Sequence, residues 1–331
     1  MGIARFINKN LFIIVIVVIC FALVLGYIYP NSGQYLEKFY PLSLFLMIYP
    51  MMVGLKFSEI AFASKRIGFL ILIIIFNFIV SPLLAAFLGH LFLADYVDFA
   101  VGLIVNGTVP CGGMIVAWTA MSKGNVPMTV VLMVVSMLAG IVLIPLCIWI
   151  LVGKYVPVDA LEMFQNIVVT IVVPLVLGIL TGKLLIKKWG QERFDKITPI
   201  FSAISGGGMF MVFCIAMASQ SVALINNPHY LAVITLPLIC FYLLLSFIIM
   251  VYARLFRINY PDMVSFYYGV GSKNSSVALA IAVVSFSSLT VLILAARLII
   301  QLGFLIGFLK LSPYIQTYWS KVIPITEKTV T

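Results

Sequence analysis

Charged residues are scarce in this chain of 331 residues. They make up 9% of it, hydrophobic residues make up 64%, and the mean hydropathy is +1.22. A soluble globular domain carries roughly 25% charged residues. So few charges cannot cover a surface that faces water, which excludes the ordinary soluble enzyme classes and predicts an all-α protein embedded in lipid.

The chain also lacks the usual signatures of catalysis and of metal or cofactor binding. It has no HExxH motif, and no Ser-His or Asp pair stands at helical spacing inside an apolar segment. Five cysteines lie inside apolar segments and form no CxxC pair: Cys20, Cys111, Cys147, Cys214 and Cys240. We therefore predict that the protein is not an enzyme, holds no zinc or disulfide framework, and needs no cofactor.

Ten apolar segments are long enough to cross a bilayer, which takes about 20 residues per helix. They lie at residues 11–29, 40–57, 68–93, 97–121, 127–153, 165–186, 199–219, 229–253, 262–286 and 288–309. Ten spans divide into two halves of five, and a half with an odd number of spans is inverted when it is repeated. We predict two inverted five-helix repeats, at residues 1–157 and 158–331. Leu23–Gly26 in span 1 recurs as Leu175–Gly178 in span 6.

The basic residues alternate between the loops. If the N-terminus is cytoplasmic, 16 of the 20 Lys and Arg fall on the inner side, two (Lys38 and Lys154) on the outer side, and two (Lys273 and Arg297) within spans. The inner set is Arg5, Lys9, Lys56, Lys65, Arg66, Lys123, Lys183, Lys187, Lys188, Arg193, Lys196, Arg254, Arg257, Lys310, Lys321 and Lys328. This bias predicts a multi-pass protein with both termini cytoplasmic. It also accounts for the net charge of +10 without a nucleic-acid partner. No organelle-targeting segment is recognisable, so we expect the cell membrane.

Spans 4 and 9, the fourth helices of the two halves, are interrupted at matching positions. The interruptions are Gly107–Gly113, with Pro110 at its centre, and Gly269–Ser276. Glycine and proline weaken a helix, and freed backbone groups must face protein or a wet cavity. Paired broken helices mark the binding site of many secondary transporters. The alternative is a pair of kinked helices that pack closely through glycine.

Lys273 and Arg297 are cations inside spans, whereas all ten acidic residues lie at or beyond span ends. A charge at mid-membrane costs at least about 2.5–3.5 kcal/mol, which makes such a residue a functional candidate. Lys273 could stand in for a bound sodium ion, could exchange a proton during transport, or could bind an anionic substrate. It could also do no more than bond to freed backbone carbonyls. For Arg297 we favour a structural hydrogen-bonding role or snorkelling.

Several short motifs stand in spans 4, 6 and 9. In span 4 they are Pro110-Cys111, Met114, Trp118 and Ser122-Lys123-Gly124; in span 9, Ser272, Asn274 and Ala278–Ala282; in span 6, Pro174–Gly178. Together these motifs resemble those of the arsenical-resistance (arsenite) permeases of the bile acid:sodium symporter superfamily. The resemblance implies a panel domain of spans 1, 2, 6 and 7. It also implies a core domain of spans 3–5 and 8–10, in which broken helices 4 and 9 cross.

The resemblance further implies that Cys111 is a functional residue, because the arsenite branch has a cysteine there. A thiolate is a soft ligand that suits thiophilic metalloids. The plainer alternative is that Cys111 packs as a small apolar residue in a tight turn.

Departures from the family pattern are equally informative. The arsenite branch has a span-9 glutamate where this chain has Ser276. The sodium-coupled branch has ion ligands where this chain has Ile115 and Val116, and again where it has Gly269 and Lys273. Sodium needs oxygen ligands, so we do not expect the usual sodium coupling.

We therefore predict a secondary transporter that works by alternating access and exports arsenite or a related metalloid, with proton coupling as an option. Its alternatives are a carrier of small organic anions and an uncoupled facilitator or channel. The predicted substrate site is Pro110, Cys111, Gly112, Gly113, Asn274, Ser275 and Ser276. Lys273 is the coupling or built-in cation, with Asn77, Ser81, Thr108, Ser272 and Arg297 in support. The partners expected are a small-molecule or inorganic substrate and the bilayer; the oligomeric state is not predicted.

Overall fold

The computed structural model describes residues 11–53, 66–155, 165 and 168–322. We number its helices α1 to α13 in chain order. They are Leu11–Ile28 (α1), Ser32–Glu37 (α2), Tyr40–Val53 (α3), Ile67–Phe92 (α4), Val97–Thr108 (α5), Ile115–Met121 (α6), Val126–Val152 (α7), Val173–Trp189 (α8), Gln191–Asn226 (α9), His229–Leu255 (α10), Tyr260–Gly271 (α11), Ser275–Ser285 (α12) and Ser288–Val322 (α13).

The prediction of an all-α polytopic membrane protein is confirmed. Among the described residues, α4, α7, α9, α10 and α13 are each long and apolar enough to cross a membrane. Four shorter apolar helices accompany them, at Val17–Ile28, Tyr40–Val53, Val97–Thr108 and Ser275–Ser285. Helices α9 and α13 run well past the predicted spans 199–219 and 288–309. Hydropathy marks only the apolar part of a helix, and a polar end can continue into water without changing its backbone.

Some predictions lie outside the described residues. The boundary between the two repeats, at residues 157 and 158, is one of them. The others are five of the cations assigned to the inner side: Arg5, Lys9, Lys56, Lys65 and Lys328.

The helices pack in two groups. Helix α9 packs against α1, α3 and α8, and α8 also packs against α3. In the other group, α4 packs on α5 and α10, while α7 contacts α5, α6 and α11, and α13 contacts α5, α10 and α12. The groups meet where α13 packs on α9 and where α12 packs on α3.

The repeated Leu-Val-Leu-Gly segment marks two equivalent close approaches. A Cβ added to Gly26 of α1 would collide with the carbonyl oxygen of Ala218 in α9. A Cβ added to Gly178 of α8 would lie 2.6 Å from the Cβ of Met52 in α3. In both places only glycine lets the two helix backbones approach so closely.

Helix α4 contains one turn of π-helix, Phe76–Val80, before α-helix resumes at Ser81. Pro82 follows at once and has no amide hydrogen for the regular ladder, which explains why the register changes here. The turn carries Asn77, which is fully buried.

Candidate functional site

The first break separates α5 from α6. Helix α5 continues through Thr108, whose hydroxyl donates to the carbonyl of Val105 at 2.9 Å, and the chain turns extended at Val109. The non-helical stretch is therefore 109–114, and the prediction that it begins at Gly107 was wrong by two residues. The hydroxyl of Ser81 donates to the carbonyl of Gly107 at 2.9 Å, so α4 supports the last turn of α5.

The second break is shorter than the predicted stretch Gly269–Ser276. Only residues 272–274 leave the helix between α11 and α12, so Gly269, Ser275 and Ser276 are helical. The amide of Ser272 still donates to the carbonyl of Tyr268 at 3.1 Å. The side chain of Asn274 then caps α12 by accepting from the amide of Val277 at 3.2 Å. This cap lets the helix restart at once, which explains the difference.

The two breaks meet. Cys111 and Lys273 form an isolated antiparallel bridge, and the amide of Asn274 donates to the carbonyl of Pro110 at 2.8 Å. Cys111 is 0% exposed and Lys273 is 2% exposed. The structure thus brings together four predicted site residues that come from opposite halves of the chain.

The ammonium group of Lys273 bonds to a side chain. Its Nζ donates to Oδ1 of Asn77 at 2.9 Å, and Nδ2 of Asn77 donates to the carbonyl of Gly269 at 3.0 Å. Asn77 therefore links α4 to both the cation and the end of α11. The simplest interpretation predicted that Lys273 bonds to backbone carbonyls freed by the break, but its partner is the side-chain oxygen of Asn77.

Arg297 lies at the centre of a buried polar cluster. Its guanidinium donates to Oδ1 of Asn106 at 2.6 Å and to Oε1 of Gln301 at 2.9 Å, and its Nη1 lies 3.4 Å from the hydroxyl of Tyr242. Nε2 of Gln301 donates to the carbonyl of Lys273 at 3.1 Å, which connects this cluster to the crossing. Arg297 is 0% exposed, so it does not snorkel, and it makes the structural hydrogen bonds we favoured.

The Arg297 cluster is rich in donors and poor in acceptors. Nε and Nη2 of Arg297 and Nδ2 of Asn106 are buried and have no hydrogen-bond partner in the part of the chain that the structure describes. Among those residues the recorded ion pairs are Arg66–Asp262 and Lys196–Glu192, so neither Lys273 nor Arg297 pairs with a carboxylate there. Sequence analysis missed Tyr242, because a tyrosine in an apolar segment carries no signal of its own. Gln301 could have been found, because it stands one helical turn from Arg297 and a pair at that spacing can interact.

Exposure differs on the two sides of the crossing. Gly113 is exposed and Met114 is 43% exposed, and in α6 only Ile115 and Thr119 are buried. By contrast, every residue of α12 from Ser276 to Ala282 is buried. Backbone at a break cannot face hydrocarbon, so the exposed end of α6 is expected to face water.

Comparison of the sequence with known proteins identifies a family. Residues 41–228 match the model of the Sodium Bile acid symporter family. The chain is 27% identical to the arsenical-resistance protein Acr3 of Alkaliphilus metalliredigens over 63% of its own length and 62% of that relative. It is 22% identical to Acr3 of Corynebacterium glutamicum over 80% of its length and 75% of that relative.

A third relative is named for a different function. The chain is 25% identical to the probable sodium/metabolite cotransporter BASS3 of Oryza sativa, over 58% of its length and 44% of that relative. The family match covers more than half of the chain, and these three relatives are named as transporters or resistance proteins. The chain therefore belongs to the sodium/bile acid symporter family of membrane transporters.

Proposed function

We propose that this chain is a secondary carrier that exports an arsenite-like metalloid by alternating access and without sodium coupling. The observation that carries the proposal is the pairing of the two helix breaks at Cys111 and Lys273. It places a thiol and an ammonium group at a crossing where irregular backbone needs protein or water around it.

The packing supports a fold of ten spans in two inverted repeats. Helices α1, α3, α8 and α9 correspond to spans 1, 2, 6 and 7 and form one packing group, the panel. Span 1 meets span 7 through Gly26, and span 6 meets span 2 through Gly178. In an inverted repeat, spans 1 and 6 are equivalent, and so are spans 2 and 7, so the contact of span 1 with span 7 should recur as a contact of span 6 with span 2. The remaining long helices and the two crossing helices form the core.

The difference between the two half-helices supports alternating access. Helix α12, on the predicted outer side, packs against α3 of the panel and is buried. Helix α6, on the predicted inner side, exposes Met121, and Met114 just before the helix is exposed as well. The crossing is then closed towards the outside and open towards the cytoplasm, and rocking of the core against the panel would exchange the two. A channel that conducts through a continuous pore does not need one buried and one exposed half-helix.

The thiol at the crossing supports a metalloid as substrate. Cys111 lies beside the pairing of the breaks, and soft sulfur ligands bind thiophilic elements in preference to hard cations. Two relatives that the chain resembles over most of its length are named as arsenical-resistance proteins. Cys111 is fully buried in this conformation, so substrate contact requires the crossing to loosen during the cycle.

Lys273 supports transport without sodium. Its ammonium already holds one positive charge at the crossing, against Asn77, and a sodium ion beside it would meet repulsion and find few oxygen ligands. Loss and regain of a proton on Lys273 would couple the cycle to the pH gradient.

Uptake of radiolabelled arsenite into everted vesicles tests this proposal. We expect uptake that depends on a pH gradient and not on sodium, lost in Cys111→Ala and Lys273→Ala. Cys214→Ala is the matched control, because that thiol lies in α9, outside the crossing, and should leave uptake intact. A folded wild-type protein that moves no arsenite would overturn the metalloid assignment, and uptake that ignores every ion gradient would indicate a facilitator.

A second candidate is a carrier of small organic anions. It is favoured by two buried cations, Lys273 and Arg297, that have no carboxylate partner among the described residues. Counterflow of labelled short-chain carboxylates in proteoliposomes tests it. Exchange that Lys273→Ala abolishes and Cys111→Ala leaves intact would support this substrate class over the metalloid.

A further inference from the structure

A groove lies between the ends of α10 and α13, away from the crossing. It has a volume of about 430 Å³. Its lining consists of Phe247, Met250, Val251 and Arg254 from α10, and Tyr314, Ile315, Tyr318 and Trp319 from α13. The spacings 247, 250, 251 and 254, and 314, 315, 318 and 319, each describe one face of a helix, so the groove is formed by two facing helical stripes.

The groove spans the boundary between headgroups and hydrocarbon on the predicted inner side. Arg254 stands one residue before the end of α10, and Phe247 lies seven residues earlier, which is about 10 Å deeper along the helix. The guanidinium of Arg254 donates to the hydroxyl of Tyr318 and lies 5.1 Å from the centre of its ring. Nε1 of Trp319 donates to the carbonyl of Ile258 at 2.8 Å. Tyrosine and tryptophan with a bonded polar end and an apolar ring are typical of this depth.

The lining is suited to a molecule that is apolar along its length and negative at one end. Phe247 is 63% exposed and Tyr314 is 76% exposed, on a face that a bilayer would cover with acyl chains. Arg254 is the charged residue of the lining, and no acidic residue lines the groove among the residues described. Lys310, which is exposed, stands one helical turn before Tyr314 on the same stripe of α13 and adds a second cation beside the groove.

We propose that this groove binds one anionic phospholipid of the inner leaflet. The phosphate sits on the guanidinium of Arg254, with Lys310 nearby, and one acyl chain lies between the stripes of α10 and α13. Basic pockets between transmembrane helices on the cytoplasmic side recognise anionic headgroups in this way. The lipid would tie the inner end of α13 to α10, next to the connection that Trp319 makes to Ile258.

Native mass spectrometry of the full-length protein, titrated in detergent with phosphatidylglycerol or phosphatidylcholine, tests the proposal. We expect one tightly retained phosphatidylglycerol, and about tenfold weaker retention in Arg254→Ala because a charge-assisted contact is lost. Arg193→Ala is the matched control, since it removes an exposed cation at the start of α9, outside the groove, and should retain the lipid like the wild type. Met250→Trp keeps the charge and fills the groove, and should also lose the lipid.

Three results would overturn the assignment. Equal retention of both lipids would exclude selection of an anionic headgroup, and equal losses in Arg254→Ala and Arg193→Ala would indicate diffuse electrostatics. Retention in Met250→Trp would show that the acyl chain lies elsewhere, or that another segment or a second copy occupies the groove. Displacement of the lipid by millimolar glycerol phosphate would assign the site to a free phosphate ester instead.

Discussion

At the scale of single residues, the crossing and the cluster beside it depend on cations that lack acidic partners among the described residues. Lys273 is held by Asn77, and Arg297 is held by Asn106 and Gln301. An amide oxygen satisfies a donor without cancelling its charge. When Lys273 is protonated, the two cations together give a net positive field at the middle of the protein, which attracts an acceptor-rich or negative species.

Asn106→Asp should stabilise the protein. Oδ1 of Asn106 already accepts from Arg297 at 2.6 Å, and a carboxylate there would neutralise the guanidinium and remove the unpaired Nδ2. We expect a gain of roughly 1–3 kcal/mol in the free energy of unfolding, seen as a higher Tm in detergent. The same substitution at Asn125 should act in the opposite direction, because Nδ2 of Asn125 donates to Asp262 at 2.8 Å and Asn125→Asp would set two carboxylates together. An unchanged or lower Tm in Asn106→Asp would contradict the expectation.

Sequence reasoning located the cations, the breaks and one of the groups that hold the cations. Hydropathy alone marks Lys273 and Arg297, because a charge in an apolar run is conspicuous. Asn77 was predicted to support the site, and it accepts a hydrogen bond from Lys273. Asn77 is separated in the sequence from its two partners, Gly269 and Lys273, by 192 and 196 positions. Such pairings follow from how helices cross rather than from any local pattern. The same holds for Tyr242, which lies 136 positions from Asn106.

At the scale of helices, close approach depends on glycines whose neighbours differ sharply. In the run Gly206–Gly208 of α9, a Cβ at Gly206 would meet nothing within 4 Å, whereas one at Gly208 would lie 2.5 Å from the backbone nitrogen of Met47 in α3. The sequence shows three equal glycines and suggests close packing or flexibility. Only the packed structure shows which of them faces the neighbouring helix.

Gly208→Ala and Gly206→Ala therefore form a matched pair. The first should force α9 away from α3 and lower the Tm, because backbone atoms cannot move aside as a side chain can. The second should be neutral or raise stability by up to about 1 kcal/mol, since alanine is the better helix former. The Tm of each variant is measured as the temperature at which half of the protein is no longer monodisperse, and the two values are compared. Equal effects would mean that α9 does not press on α3 at Gly208.

At the scale of the whole molecule, a hydrogen bond joins the two packing groups on the predicted outer side. Nε2 of Gln220, near the end of α9, donates to the hydroxyl of Ser288 at the start of α13 at 2.7 Å. The predicted inner side instead exposes Met114 at the edge of the crossing. In the proposed alternating-access cycle, this arrangement would favour the state that is open to the cytoplasm.

Gln220→Leu should shift the balance towards the outward-open state. Loss of a hydrogen bond worth about 0.5–1.5 kcal/mol changes a two-state ratio by roughly two- to tenfold. Labelling of Met114→Cys by an impermeant maleimide in everted vesicles, in a background in which the exposed Cys20 is replaced, should slow by less than this factor, because the favoured state loses only part of its population. Gln316→Leu, at the inner end of α13, should leave the rate unchanged. Labelling that is as fast in Gln220→Leu as in its parent would show that this bond does not hold the outer side closed.

The all-α membrane architecture could be predicted at this scale because a bilayer sets the length and polarity of each helix. The extensions of α9 and α13 could not, since the polar and charged residues in them lower the hydropathy by which a span is recognised. The lengths of the breaks were overestimated for a related reason. Glycine lowers helix propensity in every context, so the sequence predicts a long break. In the structure, the amide of Ser272 bonds to Tyr268 and keeps Gly269 helical, and the side chain of Asn274 caps the helix that begins at Ser275.

The joint between the two breaks consists of main-chain atoms, and this has a consequence for how such a carrier can change over generations. The carbonyl of Pro110 and the amide of Asn274 are present whatever side chains their neighbours carry. Substitutions at Cys111 or Ser276 would therefore alter the chemistry of the predicted substrate site while the main-chain bond between the half-helices persists, whereas Asn274→Pro would remove its donor. A joint that is independent of side-chain identity would allow one architecture to acquire new cargoes by single substitutions.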